Sequence, residues 1–246
     1  SNNVATFIDG VKVLLETFAQ ARADGVNTPQ ISFLMNFFEA DWSSTVIQLK
    51  ELYKEIYKPG KYKELWFYWK GKPLMMAYPD KLNPNDALEA EILEFFTYRP
   101  AQPSYTIGQI RPNQWGWCSV YPQQVYKDEN GNPEQITVSV AQNHNDKRGL
   151  TAMNGERVFG RHWINAKKDY DTRENAILYG ANFEEQFNYA LEVDPEFIFI
   201  TGWNEWRAGR YREWCGVQNA FPDQFNDAYS RDIEPSKGDL KDHYYY

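Results

Sequence analysis

Apolar residues recur at three- and four-residue spacing in four parts of the chain, which predicts four amphipathic helices. A proline at the start of the third stripe, in Asn83-Pro84, suits the first turn of a helix. Serine at the start of the second stripe is a good N-cap. The four predicted helices cover residues 4–18, 43–56, 83–96 and 183–191.

Short and solidly apolar runs alternate with these stripes, and they predict β-strands. Asn130-Gly131 separates two β-prone stretches and predicts a hairpin whose second arm, 136–140, also serves as a main strand. A polar, glycine-containing loop is predicted for about residues 141–172. The five predicted strands are 31–35, 74–78, 105–110, 136–140 and 197–201.

Strands that alternate with helices and are apolar throughout are typical of a parallel sheet covered on both faces. The long segments follow strands, as the active-site loops of (β/α)8 barrels do. We therefore predict an α/β fold of the TIM-barrel type in one domain, residues 1–246. Because five strands cannot close an eight-stranded barrel, the chain is expected to be an incomplete barrel segment that lacks its first strands. An open five-stranded sheet is the alternative.

Charge and composition exclude several classes of function. With 26 Lys and Arg against 34 Asp and Glu, the net charge is −8, which disfavours a nucleic-acid partner. No apolar run approaches the ~20 residues of a transmembrane segment. Three histidines without metal-ligand spacing, and the absence of glycine-rich phosphate motifs, predict no metal and no cofactor. Cys118 and Cys215 are expected to be thiols, or to form a disulfide if the protein is exported.

The strongest candidate for chemistry is Glu205, which follows the apolar strand 197–201 in the sequence Gly202-Trp203-Asn204-Glu205-Trp206. A carboxyl group between two indoles is suited to proton transfer near neutral pH. Aromatic residues make up 17% of the chain, and indole faces suit the apolar faces of sugar rings. Trp203 and Trp206 are therefore candidate substrate-binding residues, and Asn204 is a candidate for binding a sugar hydroxyl.

A structural role is the alternative for Glu205, as a turn cap or as an ion-pair partner of Arg207 or Arg210.

The stretch Gly202–Trp206 resembles the strand-end motif of a group of bacterial polysaccharide-processing proteins. The group comprises the endo-α-mannosidases of glycoside hydrolase family 99, the family 71 α-1,3-glucanases and the WbsX-like proteins. The resemblance implies a (β/α)8 barrel, hydrolysis of a complex polysaccharide or glycan, and a secreted or periplasmic location. Further segments similar to gut-bacterial relatives of this group are Leu65-Trp66-Phe67, Gly71-Lys72-Pro73-Leu74, Thr151-Ala152-Met153-Asn154-Gly155, Phe225-Asn226 and the run from Ser230 to Pro235.

One departure from the resemblance concerns the second carboxyl group. The endo-α-mannosidases have Asn-Glu-Trp-x-Glu-Gly, but Ala208 stands here in place of the second glutamate. Glycoside hydrolysis usually needs two carboxyl groups. Asp80, at the end of the strand 74–78, is the first candidate for the second one, and an N-cap or Asx role is its alternative. Asp41 follows the first strand, where it binds substrate or caps the next helix.

Four other residues are candidates for substrate binding. Trp115 and Trp117 follow the predicted strand 105–110 and either stack on sugar rings or pack in the core. His144, after the strand 136–140, binds a hydroxyl group or braces its loop. Asn36 follows the first strand and is a candidate for binding a hydroxyl group.

These observations support three hypotheses of function. The first is a glycoside hydrolase with Glu205 as acid/base and an oligosaccharide or polysaccharide as substrate. The second is a carbohydrate-binding protein without catalysis, for which Ala208 is the main argument. The third is a glycosyltransferase-like role of the WbsX type, which requires a nucleotide-sugar donor, although no diphosphate or metal motif is present.

Overall fold

The computed structural model describes residues 8–35, 42–205 and 208–246, without the side chains of Trp42 and Ser43. The chain divides into two compact units, residues 1–101 and 102–246, and each is described by itself. The grouping of both units into one domain stays a prediction. In the described ranges, no helix has the length and apolar character needed to span a membrane.

Three helices of the first unit confirm the helix predictions for that part of the chain. The α2 helix continues as a π-helical turn over Tyr53–Tyr57. Asp86 caps α3, since its side chain accepts hydrogen bonds from the backbone N–H of Leu88 and Glu89. The helices are α1 (Ile8–Ala23), α2 (Trp42–Leu52) and α3 (Ala87–Phe95).

The sheet of the first unit is small and is built around one strand. Its strands are β1 (Phe33–Leu34), β2 (Tyr68–Trp69), β3 (Lys72–Met76) and β4 (Thr97–Tyr98). β3 pairs in parallel with β1 and β4, and antiparallel with β2. The helices cover the sheet with a core rich in aromatic rings, which includes Tyr57, Trp66, Met75, Ile92 and Phe96.

The second unit has one main sheet and one long helix, α4 (Ala181–Val193). The predicted hairpin is present, and its second arm pairs in parallel with the strand that starts at Phe197. Ile136 and Val138 pack against Ala190 of α4. The strands are β5 (Ala101–Gln102, at the boundary between the units), β6 (Trp115–Gly116), β7 (Val125–Lys127), β8 (Pro133–Val138), β9 (His144–Asn145), β10 (Gly149–Leu150), β11 (Trp163–Ile164), β12 (Asp169–Tyr170), β13 (Phe197–Ile200), β14 (Tyr211–Trp214), β15 (Val217–Ala220), β16 (Gln224–Asn226) and β17 (Tyr229–Ser230).

The prediction of a TIM-barrel-like fold is wrong. Within the described residues the strands form separate small sheets that do not close, and parallel pairing joins only a few strands, among them β1–β3, β3–β4 and β8–β13. The other strands of the second unit are mostly short antiparallel pairs, such as β9–β10, β11–β12, β14–β15 and β16–β17. A barrel needs a continuous ring of hydrogen-bonded strands. The fold is mixed α/β with four α-helices among the described residues.

Two predicted elements also differ from the structure. Residues 105–110 are irregular because Ser104 Oγ accepts hydrogen bonds from the backbone N–H of Thr106 and Ile107, which competes with strand pairing. The predicted loop 141–172 contains β9 to β12, whose two-residue strands are too short to leave an apolar pattern in the sequence.

Candidate functional site

The backbone after β13 brings two distant segments together. Gly202 has a φ of +89°, and a Cβ atom there would lie well inside 3.0 Å of the Arg231 carbonyl oxygen. The N–H of Ile233 donates to the Gly202 carbonyl (2.8 Å), and the N–H of Glu234 donates to that of Trp203 (3.1 Å). Glycine is therefore required at the end of β13, because only it permits both this φ and this approach.

Glu205 forms an ion pair with Arg231 at the place where these segments meet. Glu205 Oε1 and Asp223 Oδ1 lie 3.0 Å and 2.9 Å from the same Nη2 of Arg231. Arg231 Nε also donates to Asp223 Oδ1 (3.0 Å). The side chains differ in exposure, at 36% for Glu205, 8% for Arg231 and 3% for Asp223. Glu205 is thus the accessible end of a buried chain of charges.

Burial alone would lower the pKa of Arg231, but the neighbouring Tyr105, Glu205, Cys118 and Asp223 outweigh it and hold that pKa well above its usual range. Arg231 is consequently a permanent cation at this site.

His144 lies close to the same arginine through Tyr105. The Tyr105 hydroxyl accepts a hydrogen bond from Arg231 Nη1 (3.1 Å) and donates to Asn143 Oδ1. The His144 ring lies between Tyr105 and Phe159, with centroids 5.5 Å and 5.6 Å away. Burial lowers the pKa of His144, so its neutral form is favoured. Its Nδ1 is buried without a hydrogen-bond partner among the described residues.

A second carboxyl group, Asp232, follows Arg231 in the chain and is half-buried. Burial, together with the charge and hydrogen bond of Asp223, raises the pKa of Asp232 to about 7. Asp232 also lines a cavity of about 90 Å³ that includes Arg161 and Glu234.

The predicted substrate residues beside Glu205 are partly accessible. Trp203 is 49% exposed, and its ring makes an edge contact with Tyr245 at a centroid distance of 5.5 Å. Asn204 Nδ2 donates to Glu234 Oε2 (3.0 Å), so this amide already has a protein partner. Trp206 lies outside the described residues, and the expected position of Glu205 between two indoles therefore stays a prediction.

The two other predicted tryptophans differ in their exposure to solvent. Trp115 is 1% exposed, stacks on Phe197 at 4.9 Å and donates its indole N–H to Glu134 (2.7 Å). Trp115 therefore packs in the core, which was the alternative to stacking on a sugar. Trp117 is half-buried.

The remaining candidates are Asp80, Asn36 and Asp41, all in the first unit's part of the chain. Asp80 belongs to the first unit, in a 3-10 turn over Pro79–Lys81, with its side chain 49% exposed and 3.8 Å from Lys81. It does not cap α3, since Asp86 does. Asn36 and Asp41 lie outside the described residues.

Cys118 and Cys215 are free thiols, the first buried and the second exposed. Burial raises the pKa of the Cys118 thiol to about 11, so it is protonated at neutral pH. Within the described ranges, no cluster of three or more His, Cys, Asp or Glu residues has the arrangement of a metal site.

Sequence reasoning missed Arg231, which pairs with Glu205, and the two residues Tyr105 and Asp223, which contact Arg231. The stretch from Ser230 to Pro235 was noted only as part of a resemblance. A charged Arg-Asp pair next to the apolar Ile233 was a usable signal for a buried ion pair. The 26-residue separation between Glu205 and Arg231 gave no indication that the two side chains meet.

No protein-family model, no curated protein and no solved structure matches this chain at a significant level. The resemblance to polysaccharide-processing families consequently rests on the quoted motifs alone.

Proposed function

We propose that this chain is a glycoside hydrolase that acts on a complex polysaccharide or glycan, with Glu205 as a reacting carboxyl group. The observation that supports this proposal is the placement of Glu205 directly after β13, with a 36% exposed side chain held by Arg231. Carboxyl groups at the ends of parallel strands are frequent functional groups in α/β proteins. The neighbouring Trp203 is 49% exposed and offers an indole face for a sugar ring.

The ion pair favours one of the two roles that a glycosidase carboxyl group can take. Arg231 Nη2 lies 3.0 Å from Glu205 Oε1, and a carboxylate engaged in an ion pair suits a nucleophile or a base better than a proton donor. The acid then comes from another residue. Because Asp223 Oδ1 and Glu205 Oε1 both contact Arg231 Nη2, these two oxygens are at most about 6 Å apart. Asp223 is 3% exposed, however, so we assign it the role of holding Arg231 rather than that of touching substrate.

Asp80 stays the candidate proposed from the sequence for the second carboxyl group. The Asp80→Asn variant tests it in the same assay as the variants below, and undiminished turnover would remove Asp80 from the mechanism.

The test of the proposal is product formation from a panel of polysaccharides and glycans by the wild type and by Glu205→Gln. General acid–base or nucleophilic roles predict a loss of at least ~100-fold in turnover. Stability should change by less than ~1 kcal/mol, because partly exposed ion pairs contribute little. Glu213→Gln is the matched control, since Glu213 is exposed in β14 and bonds Gln218 (2.7 Å). Equal turnover by all three proteins would remove Glu205 from the mechanism.

A carbohydrate-binding protein without catalysis is the second candidate, and the Glu205–Arg231 ion pair favours it. A carboxylate that serves only to hold a buried arginine needs no substrate, and Ala208 stands where the resembling family has its second glutamate. Calorimetry with the same panel separates the two proposals. Binding without any product, in the wild type as in Glu205→Gln, would favour this second candidate.

We also propose a secreted or periplasmic location, which the resemblance to polysaccharide-processing proteins implies. Cell fractionation tests it, and recovery of the protein only in the cytoplasm would contradict it.

A further inference from the structure

The guanidinium of Arg231 is held from two sides by side chains of the second unit. On one side, Nε and Nη2 both donate to Asp223 Oδ1, at 3.0 Å and 2.9 Å. On the other side, Nη1 donates to the Tyr105 hydroxyl at 3.1 Å. Nη2 also reaches Glu205 Oε1 at 3.0 Å. Because a guanidinium is planar and rigid, the contacts at Nε and Nη1 together fix the direction in which Nη2 points.

A row of hydrogen bonds leads from Tyr105 back to the segment that carries Asp223. The Tyr105 hydroxyl donates to Asn143 Oδ1, and Asn143 Nδ2 donates to the Pro222 carbonyl at 2.9 Å. Pro222 directly precedes Asp223 in the chain. Tyr105, Asn143, Asp223 and Arg231 are all buried, with at most 7% exposure. Each of these polar groups therefore depends on its protein partner for a hydrogen bond.

The direction of every hydrogen bond in this row follows from the chemistry of its ends. A backbone carbonyl can only accept, so Pro222 requires the amide nitrogen of Asn143 on its side, which turns Asn143 Oδ1 toward Tyr105. That oxygen takes the single hydrogen of the Tyr105 hydroxyl, and the hydroxyl therefore meets Arg231 with a lone pair. An arginine can only donate, so Nη1 needs an acceptor in this orientation.

We infer that Tyr105 is a positioning residue for Glu205. Its hydroxyl, oriented by Asn143, fixes the Arg231 guanidinium so that Nη2 holds the Glu205 carboxylate in one place. Tyr105 is 7% exposed, so we assign it no contact with a substrate. The positioning of a reacting group rests on the proposed function, but the orientation of Arg231 by Tyr105 does not.

The direct experiment compares Tyr105→Phe with the wild type by NMR of the complete chain, with the Arg231 side-chain signals assigned by correlation with its backbone. In the wild type, Nη1 and Nη2 should give separate signals, because each has its own acceptor. Tyr105→Phe removes the acceptor of Nη1, so the guanidinium can rotate and the separate Nη1 signal should be lost. A separate Nη1 signal that persists in Tyr105→Phe would overturn the orienting role.

Tyr170→Phe is the matched control in the same unit. It also removes a tyrosine hydroxyl that makes a hydrogen bond, but that partner is the Val158 carbonyl (3.0 Å) rather than Arg231. The Arg231 signals should keep their wild-type positions in this control. Loss of the Nη1 signal in both variants would show a general effect of tyrosine substitution and would overturn the specific role of Tyr105.

The link to Glu205 is measured from its side-chain carboxyl ¹³C signal, assigned through Glu205→Gln. Tyr105→Phe should shift this signal, because Nη2 no longer has a fixed direction, whereas Tyr170→Phe should leave it unchanged. If Tyr105→Phe does not fold, Asn143→Leu replaces it with the same expected shift, since the Tyr105 hydroxyl hydrogen is then free to turn toward Arg231. An unchanged Glu205 signal in the variant that folds would overturn the link.

The wild type alone provides a check that does not depend on the folding of a variant. A nuclear Overhauser effect between the Nη1 hydrogens of Arg231 and the ring hydrogens of Tyr105 is expected from their hydrogen bond. Its absence would overturn the contact on which the inference depends.

Once a hydrolysed glycan is identified, kinetics add a readout that a merely structural role would not move. Misplacement of a reacting group by ~1 Å can cost ~100-fold in rate, so Tyr105→Phe should lower kcat roughly 10- to 100-fold with KM unchanged. Tyr170→Phe should keep both constants. An unchanged kcat, or a raised KM alone, would overturn the positioning role. Absence of hydrolysis for every glycan would count against the proposed function, and the NMR signals would then decide the role of Tyr105.

Discussion

Replacement of Gly202 by alanine tests the local geometry on which the site depends. The backbone at this position has a φ of +89°, which costs an L-residue roughly 1–2 kcal/mol. The added Cβ would also collide with the Arg231 carbonyl oxygen, which is backbone and cannot rotate away. If the segment after Arg231 moves to relieve the collision, the hydrogen bonds from Ile233 to Gly202 and from Glu234 to Trp203 weaken. Each contributes roughly 0.5–1.5 kcal/mol.

These contributions predict that Gly202→Ala lowers the free energy of unfolding of the second unit by roughly 2–5 kcal/mol. Urea denaturation measures the loss, and hydrogen exchange assigns the transition to residues 102–246, since two units need not unfold together. Gly209→Ala is the matched control, because a Cβ there meets no atom within 4 Å; its effect should stay within ~0.5 kcal/mol. A Gly202→Ala protein as stable as the control would refute the required close approach.

Three further predictions concern the same cluster and the two cysteines. Arg231→Met leaves the 3% exposed Asp223 without its cation and should lower the free energy of unfolding, measured by urea denaturation, by roughly 3–5 kcal/mol. A loss below ~1 kcal/mol would contradict the burial of the Arg231–Asp223 pair. Because the folded-state pKa of Asp232 is raised to about 7, the stabilising contribution of Asp232 is complete below pH ~4 and is lost as pH rises through 7. Melting temperatures of the wild type should therefore fall relative to those of Asp232→Asn across this interval, and parallel curves would contradict the pKa shift. A thiol reagent at pH 8 should modify exposed Cys215 in the native protein and buried Cys118 only after unfolding; equal rates would contradict the burial of Cys118.

Local pattern predicted the helices well because each carries a continuous apolar stripe. The stripe at 183–191 corresponds to α4 (Ala181–Val193), and the hairpin signal Asn130-Gly131 lies between β7 and β8. The parallel partnership of β8 and β13 agrees with the prediction that the second hairpin arm is also a main strand. These elements are stabilised mainly by their own sequence and by burial of one face.

The global arrangement was not predictable from the same pattern. An apolar run indicates that a strand is buried, but it does not indicate which strand lies next to it or whether a ring closes. The two-residue strands of β9 to β12 are held by pairing between neighbouring segments rather than by an apolar alternation. The prediction of a barrel extended the β–α alternation of a few segments to the whole chain.

The candidate site was likewise predictable only in part. Glu205 and Trp203 were predicted from a strand that runs into glycine, and the structure places both at least partly accessible. The cation that holds Glu205 was not predicted, since the contact between Gly202 and Arg231 joins segments far apart in sequence. Trp115 was predicted as a possible platform because it follows the predicted strand 105–110, but its stacking on Phe197 and its burial place it in the core, which was the alternative.

The measurement that tests the central claim most directly is the position of an oligosaccharide bound to the Glu205→Gln protein, determined by crystallography with a glycan selected from the calorimetric panel. The account predicts a sugar ring against Trp203 and a glycosidic or anomeric atom within hydrogen-bond reach, roughly 3 Å, of residue 205. A glycan bound elsewhere, with the side chain at position 205 still directed only at Arg231, would contradict the claim that Glu205 is a reacting group.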